Sequence, residues 1–323
     1  MNKKTIIILE TAPGARLANQ LWNFISVYAY CLEKGYKCYN YCFFEEKKHS
    51  SGKITLCDYN QFFNFPDINK FVKFLAFLQL KKNKLLRKIK PYGVYKYLIK
   101  KLYPNSILDS FGDIPFYLAP TKNNNPNQSK SLTDLEKKSF NAIYLRGWLF
   151  RNPEGIKKFH PEIKKYFKPR NEIAERVNNF MQLSRKNYKE IVGVHIRQND
   201  YKIYEQGKYF FSQNEVRNFL EDYIKFFKKN RDEILFVICS DGLINTAYFK
   251  GLNVKISFEG AIDDLFILSL CDIIIGSDST FSAFAAYYGD IPIAIFSRPR
   301  INWNNFNATK KFNYANASIL VRQ

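Results

Sequence analysis

Five short apolar runs in the second half of the chain, residues 191–196, 234–239, 254–258, 273–276 and 291–296, are rich in β-branched residues, and segments of helical length and pattern, such as 214–227 and 263–270, lie between several of them. Few folds accommodate this alternation. A strand that is apolar throughout needs cover on both faces, and a helix between consecutive strands supplies it, so the pattern predicts βαβ units around a mostly parallel sheet. This half is expected to be Rossmann-like. In such sheets ligands bind outside the carboxyl ends of the strands. That rule directs attention to residues 197–200, Ser240 and Asp241, Glu259 and Gly260, and 277–282.

The first half opens in the same way, with a strand over 5–9, a loop holding Pro13 and Gly14, a helix over 17–34 and a second strand over 37–43. Beyond it the pattern becomes irregular. The polar tract 121–131 reads as an exposed loop, and a further strand over 142–145 leads to Gly147 and Trp148. A length of 323 residues, against a prior of roughly 150 per domain, predicts two domains. The charged segment 183–190 is the expected linker, giving an N-terminal domain of 1–182 and a C-terminal domain of 191–323.

Lys and Arg number 50 and Asp and Glu 29, a net charge of +21. Such an excess attracts phosphate, whether in nucleic acid, anionic lipid or a charged metabolite. Part of it is concentrated in residues 70–101, which hold eleven Lys or Arg and no Asp or Glu, interleaved with Phe71, Phe74, Leu75, Phe77 and Leu78. Two readings fit. The segment is either a basic amphipathic helix that lies on an anionic leaflet, or a solvated Lys-rich helix face. No run approaches the roughly 20 apolar residues that span a bilayer. The six cysteines form no C-x-x-C pair, and the three histidines are far apart in sequence, so no metal motif is evident. These features lead us to expect reduced thiols and a cytoplasmic chain, soluble or peripheral on the inner leaflet.

Three segments carry candidate chemistry. Residues 193–201 (GVHIRQNDY) end a strand, which projects His195 and Arg197 to one side and Ile196 to the other. A guanidinium there can fork onto phosphate oxygens, or close a salt bridge with Asp200. Residues 276–286 (GSDSTFSAFAA) run from a strand end through Ser277, Ser279, Thr280 and Ser282 into a helix. The free amides and positive dipole of a helix start favour an anion, and the same hydroxyls suit an N-cap. Residues 11–23 (TAPGARLANQLWN) place the amides of Asn19 and Gln20 at a helix start. The P-loop, dinucleotide and nucleophile-elbow patterns are absent, as is any Asp-x-Asp pair. A diphosphate bound here is therefore expected to rely on Arg197 and amide dipoles rather than on a metal.

In this order and spacing the three segments resemble the bacterial alpha-1,2-fucosyltransferases of glycosyltransferase family 11. That family carries G-x-L-G-N-Q-[LM]-F, H-I-R-R-G-D-Y and N-S-S-F-S-W-W-A-A segments. Their counterparts are ARLANQLW (15–22), HIRQNDY (195–201) and DSTFSAFAA (278–286), and Arg146-Gly147-Trp148 and Ser240-Asp241 lie where the family tends to carry a Gly-aromatic pair and a Ser-Asp pair. Gln198 stands in place of the second Arg, Ala15 and Ala18 in place of glycines, and Ala283 and Phe284 in place of the tryptophans. The resemblance implies a GT-B-like α/β fold, two Rossmann-like domains facing a cleft. It also implies metal-independent, inverting transfer of L-fucose from GDP-fucose to a galactose-type hydroxyl, with Arg197 on the diphosphate.

On that reading Arg197, Asp241, Ser279, Thr280, Phe281 and Ser282 form the donor site, and Asn19 and Gln20 line the cleft from the other domain. The base is drawn from His195, Asp200, Asp241 and Glu10, with Asp200 favoured. The expected acceptor is an oligosaccharide or lipid-linked glycan of the cell surface, such as O-antigen. Three alternatives stay open: a transferase using another GDP-sugar, a degenerate transferase that binds nucleotide without catalysis, and a basic nucleic-acid-binding protein, for which no motif speaks.

Overall fold

The polypeptide divides after Lys168 into two units in the computed structural model, which describes residues 4–10, 15–48, 54–65, 109–110, 116–118, 142–147, 149–257, 260–306 and 311–312. The basic stretch 70–101, the tract 121–131, Pro13 and Gly14, Trp148 and Glu259 lie outside the described residues. Among the described residues no helix is long and apolar enough to cross a membrane.

The first unit begins with β1 (Thr5–Glu10), whose Ile6, Ile7 and Ile8 are buried, and continues into α1 (Leu17–Lys34). Gly35 ends the helix with φ 68°, a left-handed conformation that is easy without a Cβ, and the Tyr36 N–H returns to the Cys31 carbonyl at 2.8 Å. β2 (Lys37–Asn40) then pairs parallel to β1. The strand expected to run to residue 43 stops at Asn40, because the Asn40 Oδ1 accepts the Cys42 N–H at 3.1 Å and turns the chain. An antiparallel hairpin follows, β3 (Phe44–Lys48) and β4 (Ile54–Asp58). After β5 (Asp109–Ser110) and β6 (Phe116–Tyr117), β7 (Ala142–Gly147) joins β1 from the other side. The resulting sheet has the order β2-β1-β7-β5, all parallel. β8 (Phe150–Arg151) pairs with β6 and leads to α2 (Pro153–Lys158) and α3 (His160–Tyr166).

Aromatic side chains fasten α1 in this unit. The Phe24 ring meets Phe43 and Phe167 edge-on, at 5.7 and 5.0 Å between centroids. Fully burying each such side chain contributes about 1.5–3 kcal/mol.

In the second unit α4 (Asn171–Arg185) comes first. The expected border at 183–190 would leave this helix in the first domain. Its contacts lie with the second: Ile173, Val177, Phe180 and Met181 are buried, and the Arg176 guanidinium reaches Asp263 at 2.7 Å. The chain then runs through β9 (Glu190–Ile196), α5 (Gln213–Phe226), β10 (Ile234–Ser240), β11 (Val254–Ile256), α6 (Ala261–Ser269), β12 (Ile273–Gly276), α7 (Thr280–Gly289) and β13 (Ile293–Ile295). The five strands are parallel, in the order β11-β10-β9-β12-β13.

Val192, Val194 and Ile196 of β9 pack with Val216, Phe219 and Leu220 of α5 in one core. On the opposite side α6 packs against α4 and β9. Chain order therefore runs outward from β9 through β10 to β11, then jumps back to β12 on the other side of β9. The reversal falls between β9 and β12, and a sheet of this kind opens a crevice at such a point, outside the carboxyl ends of its strands.

Candidate active site

Arg197 is the first residue beyond β9, at this switch point. Its backbone is fastened to β12: the Arg197 N–H donates to the Ser277 Oγ at 3.0 Å, and the Ser277 N–H donates to the His195 carbonyl at 2.9 Å. Ser277 is buried and joins the two strand ends. The guanidinium of Arg197, 14% exposed, lies between two carboxylates. Its Nη2 donates to the Asp200 Oδ1 at 2.5 Å, and its Nε lies 3.4 Å from the Asp241 Oδ2. The second contact is charge attraction without a hydrogen bond, since neither of its two atoms has a hydrogen-bond partner among the described residues.

Asp241, just past β10, does more than pair with Arg197. Its Oδ1 accepts the Gln198 N–H at 2.7 Å, and its carbonyl accepts the Asn199 side-chain amide. One carboxylate thus shapes the loop after β9 and steadies the guanidinium. Gln198, in the position of the missing second Arg, is buried and packs on Gly242, where an added Cβ would come within 2.8 Å of it.

The hydroxyls after β12 divide by role. The Ser279 Oγ caps α7 by accepting the Phe281 N–H at 3.2 Å. The Ser282 hydroxyl, fully buried, donates to the carbonyls of Ser277 and Ser279. Expected as a ligand of the donor, Ser282 is instead spent inside the fold, because a hydroxyl one turn into a helix finds the carbonyls that precede it. Thr280 and Phe281 stay half-buried at the helix start.

His195 does not fit the role of base. Burial, with the Arg197 charge beside it, pulls its pKa from 6.5 to about 3, and its ring lies 5.1 Å from that of Phe281. The imidazole stays neutral at physiological pH. Asp200 is 43% exposed and remains the more accessible carboxylate.

In the first unit, Gln20 is buried, and its Nε2 donates to the carbonyls of Ala15 at 2.6 Å and Phe44 at 2.7 Å. These bonds tie the start of α1 to β3, so a side-chain amide expected to line a cleft is committed to the fold. Asn19 is half-buried on α1. The buried side-chain amide of Asn23, a residue to which the sequence assigns no role, bridges the Gly147 carbonyl and the Phe150 N–H at 3.1 and 3.0 Å. Its one signal was a polar residue on the apolar face of a helix.

The profile of glycosyl transferase family 11 matches residues 105–316, more than half of the chain, and this span contains the whole arrangement around Arg197. The chain belongs to glycosyl transferase family 11. No curated protein matches it in sequence. Among solved structures, this family 11 glycosyltransferase is similar to POFUT1 in complex with GDP-fucose, with 15% identity, a TM-score of 0.54, and 92% of this chain and 99% of that chain covered. It is also similar to FUT1 of Arabidopsis thaliana in complex with GDP, with 15% identity, a TM-score of 0.52, and coverage of 92% and 71%. At such identities the likeness is one of fold, the α/β, GT-B-like fold with parallel sheets expected from the sequence.

Proposed function

We propose that this family 11 transferase moves L-fucose from GDP-fucose to a galactose-type hydroxyl of a glycan, forming an alpha-1,2 linkage with inversion and without a metal ion. The observation that supports this most is the Arg197 guanidinium held by Asp241 at the switch point, beside the start of α7. The GDP and GDP-fucose complexes of the fold relatives point to the donor.

In the proposed reaction the acceptor oxygen attacks the anomeric carbon of fucose. The bond from that carbon to the β-phosphate oxygen breaks, and the electron pair leaves with GDP. Negative charge grows on the β-phosphate, where Arg197 stabilises it from a position set beforehand. Asp200 gives up its bond to Arg197 as the diphosphate arrives, and then takes the proton of the attacking hydroxyl. Thr280 and Phe281 flank the diphosphate, and Asp241 holds the guanidinium in place throughout. The acceptor is a surface-polysaccharide or O-antigen intermediate, and the basic stretch 70–101 brings the cytoplasmic enzyme to the anionic inner leaflet.

An assay of GDP-fucose, GDP-mannose and UDP-galactose against β-galactosides in EDTA tests this reading. Fucosyl transfer from GDP-fucose alone, with the new linkage α by NMR, is the expected result. Arg197→Ala should slow it by roughly 10²-fold. Transfer that requires a divalent ion, or steep salt-dependent binding of single-stranded DNA without GDP binding, would contradict it.

A further inference from the structure

Beyond Arg197 the loop after β9 carries an aromatic cluster to which the reaction above assigns no role. The rings of Tyr201, Tyr204 and Tyr209 form a triangle with centroid separations of 5.9, 5.9 and 6.1 Å. Tyr204 lies nearly parallel to both others, at 25° and 28°. The cluster opens to solvent through Tyr204, 46% exposed, while Tyr201 and Tyr209 are half-buried. Exposed apolar surface of this kind marks a binding surface more often than scattered single residues do.

The cluster is held firmly. The Tyr201 hydroxyl donates to the Asp278 carbonyl at 2.7 Å, tying the near end to the loop before α7. At the far end Arg298 donates to the carbonyls of Lys208 and Phe210 at 3.1 and 2.6 Å, while its Nε is fixed by Glu215 at 2.8 Å. Between the two anchors Glu205 and Gln206 have φ of 43° and 58°. Left-handed backbone at non-glycine residues costs roughly 1 kcal/mol or more each, and persists where the surroundings over-determine it. The cluster also adjoins the candidate site, since the Arg197 guanidinium lies 5.1 Å from the Tyr201 ring centre.

We infer that Tyr201, Tyr204 and Tyr209 form a carbohydrate subsite that receives one hexopyranose ring of the acceptor glycan, an assignment that rests on the transferase reading above. A pyranose presents a patch of C–H groups on one face and hydroxyls around its rim. Phenol rings match both, with a flat apolar face and a polar edge. A nucleobase is the less fitting occupant. In a nucleotide sugar the base and the transferred sugar lie at opposite ends of the diphosphate, and Asp200, the proposed base next to Tyr201 in the chain, marks the sugar end.

The test uses the full chain with lactose as acceptor and GDP-fucose as donor in the turnover assay, and with GDP as the binding probe, in wild type, Tyr204→Ala and Tyr204→Phe, with melting curves to verify folding. Tyr204→Ala should raise the KM for lactose about tenfold, equivalent to about 1.4 kcal/mol, and weaken lactose saturation-transfer NMR signals. GDP affinity should stay within about twofold of wild type, and Tyr204→Phe should restore most of the lactose KM. An unchanged lactose KM in Tyr204→Ala overturns the subsite, as does a parallel loss of GDP affinity, which would assign the cluster to the base. A folded wild-type chain that binds no GDP overturns the transferase reading itself, and the subsite falls with it.

Discussion

Arg197 lies under two opposing influences. Two carboxylates neutralise it where it stands, and a diphosphate would have to replace one of them. Their exposures differ: Asp241 is 23% exposed and bonded to the loop backbone, whereas Asp200 is 43% exposed, which on the proposed function makes it the partner that a diphosphate replaces. On the proposed function the salt bridge and the phosphate contact of Arg197 are successive states of one group. The neighbouring His195 carries a different consequence. Its folded-state pKa of about 3 lies below the ordinary 6.5, so the unfolded chain takes up that proton first as pH falls. The associated stability is fully present above about pH 6.5 and is lost progressively toward pH 3, at a slope approaching 1.4 kcal/mol per pH unit. Denaturant titrations of wild type and His195→Asn between pH 7.5 and 5 should show this extra slope in wild type alone; equal slopes would mean that the imidazole is not held neutral.

At the scale of elements, the ends of β9 and β12 and the start of α7 act together. Gly276 and His195 face each other across the two strands, and a Cβ on Gly276 would come within 2.9 Å of the His195 carbonyl oxygen. Backbone in the middle of a sheet has little room to shift. Gly276→Ala should cost about 1–3 kcal/mol and lower the melting temperature by several degrees in calorimetry. Ser279→Ala removes the cap of α7 and should cost about 1 kcal/mol, read from the denaturant midpoint, with donor KM rising as the amides lose their alignment. The strands of this unit were readable in the sequence because both their faces are buried: the run 273–276 coincides with β12, and 234–239 with all but the last residue of β10. The hairpin of β3 and β4 was not readable. Its strands carry Glu45, Glu46 and Lys47 in a sequence without clear alternation, and its start depends on the Asn40 side-chain turn. Helix α4 falls on the first-domain side of the border expected at 183–190 because the charged residues from its C-terminal end onward read as a linker, whereas its buried stripe goes with the second unit.

For the molecule as a whole, chemistry is legible where it coincides with backbone geometry. Arg197 and Asp241 follow strand ends, so the sheet rule points to them; Ser282 and Gln20 match the same motifs, but their polar atoms are used within the fold. Tyr204 and Tyr209 follow no periodicity and become a cluster only once the loop is folded. The proposed activity depends on the guanidinium at the switch point of the C-terminal sheet, and titration calorimetry of GDP in EDTA against wild type and Arg197→Lys, both verified as folded, tests this most directly. Lysine keeps the charge but loses the fork. A charge-assisted hydrogen bond is worth about 1.5–3 kcal/mol, so wild type should bind GDP and the variant should bind it at least about tenfold more weakly. Equal affinities, or GDP binding by neither chain, would contradict the account.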